Sequence, residues 1–315
     1  MFDLSLTAAE DAKKRVEFFV IGTDGGFLNA PVPAKELLLA PGERADLLID
    51  LRGHLNESLI LRNDAPIPYS PGATPMKKDD PCRELLQIQV TGAKDPGDAR
   101  FDPATIPLPM RNDPLSGVPP NPPARSTFPS VDAAVTAVPI APGTLQMTAD
   151  LNVNGVAIKL RRFKLEEHQL VMSTLPSKLV PTVLVNDHSW TTAPPAVVKK
   201  NSIEVWEFLN TTPDTHPMHI HLVQFQVMSR VGLNVIDDPS RFAPDLPEPK
   251  TITGYTTPGL VHTFEKGWKD TVRCNPNEAT RVLIKFDGYA GNYVYHCHIL
   301  EHEDMGMMYR ITVEP

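Results

Sequence analysis

In the first hundred residues, short apolar runs are separated by polar turn residues. Phe18 to Ile21, Leu47 to Leu51, Leu59 to Leu61 and Leu86 to Val90 are such runs, and Asp24-Gly25-Gly26 and Pro41-Gly42-Glu43 punctuate them. The pattern predicts strands joined by turns. Further on it returns in Thr182 to Val185, Ile203 to Phe208, Leu222 to Val227, Arg281 to Phe286 and Tyr293 to His296, at intervals that suit a β-sandwich. Trp206, Phe225 and Phe286 read as sandwich core. Helical periodicity is weak everywhere except around His302 to Met308, so the chain reads as all-β.

Proline divides the chain. It makes up 33 of 315 residues, about twice the ordinary share of roughly 5%. Nine of these prolines fall between Ala93 and Pro123, which predicts an extended linker. The expected organisation is a first domain over 1–92, a linker over 93–127 and a second domain over 128–315. The length suffices for two cores, and 41% hydrophobic residues against 22% charged argues against disorder. The Pro- and Asp-rich stretch from Val231 to Thr263 reads as a surface loop.

A formal net charge of −8, with no long Lys or Arg run, argues against nucleic acid as a partner. No stretch approaches the roughly 20 apolar residues of a membrane helix, and the N-terminus shows no charged leader followed by an apolar segment. The chain as given reads as soluble and cytoplasmic. Cys82, Cys274 and Cys297 are too few and too scattered for a disulfide framework.

Six of the ten histidines lie in two clusters, His216-Pro-Met-His219-Ile-His221 and His296-Cys297-His298 with His302. Successive side chains in a strand point to opposite faces. His219 and His221 therefore share a face that His216 does not, and Cys297 points away from His296 and His298. One backbone segment thus serves two sites and offers a short electron path between them. On the sulfur side the candidate ligands are Cys297, His216, His302 and Met307. A His₂Cys set with a weak axial Met is the ligand combination of a blue-copper centre, so copper is the implied metal. His54, His168, His188 and His262 stand singly and read as ordinary histidines, and Cys82 and Cys274 read as structural.

HPMHIH and HCHILEHEDMGMM, with EKGWKDT and the run from Gly288 to Tyr295, resemble the third cupredoxin domain of multicopper oxidases of the bacterial spore-coat laccase and bilirubin-oxidase type. The segment from Phe2 to Leu6, with Ile21 to Gly26 and Leu39 to Arg44, resembles the second domain of the same enzymes. The resemblance implies two cupredoxin-like Greek-key β-sandwich domains, the first incomplete. It implies that His216, Cys297, His302 and Met307 hold a type 1 copper that takes electrons from a phenol or aromatic amine docked near His302 or His216. His219 becomes a type 2 ligand, and His221, His296 and His298 become type 3 ligands of a cluster that reduces dioxygen. Glu303 falls where the family places a proton relay, though it also reads as a surface carboxylate.

The family builds that cluster from eight histidines, four of them from an N-terminal domain. Met1 falls where the second domain is already under way, so the chain reads as a truncation. The expectation is a solvent-open half site at His219, His221, His296 and His298, and either a homo-oligomer formed through uncovered apolar surface or a missing N-terminal half supplied elsewhere. Three functions compete: a laccase-like oxidase, a copper electron carrier, and a structural remnant.

Overall fold

A computed structural model of the chain describes residues 1–66, 80–92, 128–172, 175–237 and 250–315, with positions 69, 74, 77 and 106; side chains of 168–182 are outside that description. The linker expected over 93–127 lies outside the described residues apart from Ile106. Two compact units divide the chain. One is Met1–Gly117 with Thr263–Trp268; the other is Val118–His262 with Lys269–Pro315.

In the first unit the strands are β1 (Phe2–Ala8), β2 (Phe18–Thr23), β3 (Gly26–Ala34), β4 (Leu37–Leu39), β5 (Ala45–Ile49), β6 (Ser58–Asn63) and β7 (Glu84–Gln89). They form two sheets, ordered β4-β1-β6-β7 and β3-β2-β5. Leu4 and Leu37 of one sheet pack with Phe18, Val20 and Leu28 of the other. The turn glycines Gly26 and Gly42 have φ of 104° and 82°, a region other side chains rarely enter.

The described part of the second unit begins with a helix, α1 (Phe128–Ala137). Its strands are β8 (Thr148–Val153), β9 (Val156–Met172), β10 (Leu175–Val185), β11 (Ala196–Lys199), β12 (Ile203–Asn210), β13 (His216–Ile220), β14 (Phe225–Asp237), β15 (Lys250–Pro258), β17 (Thr271–Cys274), β18 (Glu278–Lys285), β19 (Gly291–Cys297) and β20 (Met308–Glu314). The two-residue β16 (Trp268–Lys269) falls where the chain passes from the first unit to the second, and a short helix α2 (Leu300–Asp304) lies between β19 and β20. One sheet runs β10-β9-β12-β18-β14-β15, with β8 beside β9; the other runs β11-β20-β19-β13-β17. Trp206, Phe208, Phe225 and Ile284 of the first meet Met218, Val272, Tyr295, Cys297 and Ile311 of the second in one core. Truncating a fully buried aromatic such as Trp206 to alanine costs about 3–5 kcal/mol.

The stretch expected as a loop from Val231 to Thr263 is corrected by the structure. β14 continues to Asp237 and pairs antiparallel with β15, from Val231 opposite Pro258 to Asp237 opposite Lys250. Leu233 and Ile252 are buried against Leu209 and Ala279, which gives these strands an apolar anchor that the surrounding prolines and aspartates hide in the sequence. Residues 238–249, between them, lie outside the described residues.

The helix α1 was not expected either. Val131 and Val135, four residues apart, are buried with Phe128 against Val205, Met228 and Leu283. A buried charge network holds it. Glu207 is wholly buried and accepts from Arg162 Nε at 2.6 Å, Arg281 Nε at 2.7 Å and the Tyr255 hydroxyl at 2.8 Å. Arg162 also donates to the carbonyls of Val135 and Val138 at the end of the helix, where cations are favoured.

Candidate metal centre

Strand β13 lies between β17 and β19, and its register sets the geometry. His216 is opposite Cys274, Met218 is opposite Cys297, and His219 is opposite His296. Alternation then sends His216 and Cys297 to the core side and His219 and His296 to the other. After β19 the chain turns through α2 and brings His302 back to Cys297. This loop is pinned at its neck: the Cys297 amide donates to the Met307 carbonyl at 3.0 Å, and the Met307 amide donates to the His302 carbonyl at 2.9 Å. Gly306, with φ of 101°, makes the turn into β20 possible.

On the core side, Cys297 Sγ lies 3.6 Å from His216 Nδ1 and 3.7 Å from His302 Nδ1, and the two nitrogens are 3.1 Å apart. A triangle with those sides has a circumradius of about 2.0 Å, the length of a metal–imidazole bond. One point therefore lies at ligand distance from all three atoms. Cys297 and His216 are wholly buried, and His302 is 9% exposed. Met307 is buried in the same apolar cluster as Cys297. Burial pushes His216 down to about 3, with help from His302 nearby, and also lowers His302. Both imidazoles are thus neutral and carry lone pairs. Burial pushes the Cys297 thiol up, so its proton leaves only when a cation replaces it.

On the opposite side four imidazoles crowd together. Ring centroids of His219 lie 4.9 Å from His221, 5.3 Å from His296 and 5.7 Å from His298. His221 Nε2 is 3.3 Å from His296 Nε2. His219 Nδ1 faces the Asp270 carbonyl at 2.9 Å; a carbonyl only accepts, so Nδ1 carries the hydrogen and Nε2 keeps its lone pair for a metal. His296 Nδ1 likewise faces the Cys297 carbonyl at 3.1 Å, and Glu303 Oε2 lies 3.2 Å from the same nitrogen. Burial, together with the neighbouring imidazoles, lowers His221 and His296. This cluster is more open than the first: His221 is exposed and His219 and His298 are half-buried.

A family model described as multicopper oxidase matches residues 162–315, the part of the chain that contains both clusters. The laccase of Bacillus stratosphericus is 29% identical over 290 residues, covering 91% of this chain and 45% of that protein. The laccase of Haloferax volcanii is 30% identical over 322 residues, covering 99% of this chain and 42% of its own length. Residues 162–315 belong to the multicopper oxidase family. A crystal structure of a McoA multicopper oxidase variant from Aquifex aeolicus shares the fold, with a TM-score of 0.59 at 24% identity, covering all of this chain and 53% of that one. The multicopper oxidase architecture is all-β, built of cupredoxin-like β-sandwiches, as the sequence led us to expect. The chain spans about half the length of the relatives it matches.

Membership in the multicopper oxidases implies copper, and the donor set suits it. A soft thiolate, two neutral imidazoles and a buried thioether within one loop fit a copper ion better than a hard cation. One expectation about the substrate edge is corrected: His216 is wholly buried, so it presents no edge to solvent, and only His302 does. His54 pairs with Glu57 at 2.8 Å, and the His188 carbonyl accepts from the Tyr309 hydroxyl at 2.8 Å. The side chain of His168 lies outside the described residues. Cys82 is exposed, and Cys274 is buried across from His216. The supporting residues Asn210, Thr212, Asp270 and Thr271 were missed by sequence reasoning. Their one signal is proximity to a histidine motif, in the run Asn210 to His216 and in Trp-Lys-Asp270-Thr271.

Proposed function

We propose that the chain carries the electron-accepting half of a laccase-like oxidoreductase, which removes single electrons from a phenol or aromatic amine and passes them toward dioxygen. The observation that carries this reading is the triangle of Cys297 Sγ, His216 Nδ1 and His302 Nδ1 around one point. A copper ion held by Cys297, His216, His302 and Met307 would supply a one-electron acceptor. The edge of His302 is where a reductant docks, since it is the exposed part of the closed cluster, and Glu167 borders it at 4.0 Å from Nε2. The backbone of Cys297 joins that cluster directly to His296 and His298 on the far face. His219, His221, His296 and His298 would hold metal on that face, which would supply the reduction of dioxygen. Glu303, beside His296 Nδ1, moves protons to that face.

A second reading is a copper electron carrier without oxygen chemistry. It is favoured by the donor count of the open cluster, whose four imidazoles are the only HxH histidines in the chain. Copper loading decides between them. An intense visible absorption that disappears in Cys297→Ser supports a blue-copper site, and its absence from the loaded protein rejects both readings. Oxygen uptake with a phenol selects the oxidase. Visible absorption with one copper per chain and no uptake selects the carrier.

A further inference from the structure

We propose that Thr212, held by Asn210, is a positioning residue that fixes the tautomer and tilt of His216 before any metal arrives. The inference deepens the proposed function, because it rests on His216, Cys297 and His302 sharing one copper.

Asn210 ends β12 and is wholly buried. Its Nδ2 donates to the Asp214 carbonyl at 2.7 Å and to the Cys274 carbonyl at 2.8 Å. Carbonyls only accept, so the amide has one orientation, and its Oδ1 faces Thr212. That oxygen accepts the Thr212 amide and the Thr212 hydroxyl, both at 2.9 Å. The hydroxyl hydrogen has a second acceptor in the Asp214 carbonyl at 3.1 Å. With its hydrogen drawn to these oxygens, Thr212 Oγ1 turns a lone pair toward His216 Nε2, only 2.7 Å away.

His216 therefore donates through Nε2, and Nδ1 is left bare. Nδ1 is the atom that faces Cys297 Sγ and His302 Nδ1. Histidine can bind a metal through either nitrogen, and the hydrogen bond at one decides which is offered. Thr212 is 2% exposed and His216 wholly buried, so no solvent water stands ready to replace the hydroxyl. Only three residues of chain separate Thr212 from His216, and the buried Asn210 fixes the near end of this arrangement.

The test combines a measurement on the unaltered protein with two variants. Nitrogen NMR of the copper-free chain should show His216 protonated at Nε2 and bare at Nδ1; protonation at Nδ1 would overturn the inference without any mutation. Thr212→Val removes the hydroxyl and keeps the branched shape. It should bind copper at the closed cluster about 10–100-fold more weakly and shift the visible absorption. Thr212→Ser should restore both. A Thr212→Val protein that matches the wild type in affinity and spectrum also overturns the inference. If the wild-type chain takes up copper without colour, the copper reading fails instead, while the NMR result still judges the tautomer.

Discussion

On β19, Cys297 faces a closed pocket while His296, and His298 just past the strand's end, face an open one. The closed pocket has mixed donors, almost no solvent exposure, and a loop that folds over it. The open face gathers four imidazoles, one of them exposed, with the Glu303 carboxylate beside them. Two adjacent residues of one strand thus meet different dielectric surroundings. Burial on one side holds an ion by shape and desolvation, whereas the other side depends on how many nitrogens gather there. The sheet's alternation sets the two faces apart, and the loop through α2 completes the closed one with His302 and Met307.

The largest expected effect separates the two faces outright. Cys297→Ser should abolish visible absorption while leaving copper binding at the histidine face, measured by metal content and electron paramagnetic resonance. If the variant loses both together, the faces are not independent. Next, Glu303→Gln should slow oxygen uptake by about 100-fold, the usual range for a lost proton-transfer group, with absorption unchanged. Equal uptake would return Glu303 to the status of a surface carboxylate. A smaller contrast concerns retention. A chelator should strip the open face at least about tenfold sooner than the closed one, because carboxyl or amine chelators reach exposed imidazoles directly; simultaneous release would contradict the difference in burial.

The smallest effect is on pH dependence. Burial holds His216 at about 3 in the folded chain against 6.5 when exposed. Between those values the unfolded chain binds a proton that the folded chain refuses, so copper-free stability must fall as pH drops through that window and recover above it. His221, His296 and His302 are lowered too and act in the same direction. Urea unfolding at a series of pH values checks the sign. A copper-free protein that gains stability on acidification from neutrality would show that these imidazoles are not buried as described.

Much of this was legible in the sequence because strand alternation is a local rule. The turn glycines Gly26 and Gly42 and the runs that became β2, β6 and β12 follow from short-range pattern alone. The same rule placed Cys297 and His216 on one side and His219, His221, His296 and His298 on the other. What escaped depends on contacts distant in sequence. The helix α1 is only ten residues long, and Arg162 and Arg281, which fasten it, sit on remote strands. β15 is rich in threonine, and its anchor Ile252 has meaning only beside Leu209 and Ala279. Thr212 looks like any turn threonine until the turn brings it 2.7 Å from an imidazole.

The pairing of β13 with β19 has a further consequence for assembly. His219 lies across from His296 and Met218 across from Cys297, so two neighbouring rungs of a single ladder bear the donors of both pockets. A slip of one residue in this register would turn every one of these side chains to the opposite face. The placement of both sets of donors is therefore fixed once, by a single strand pairing.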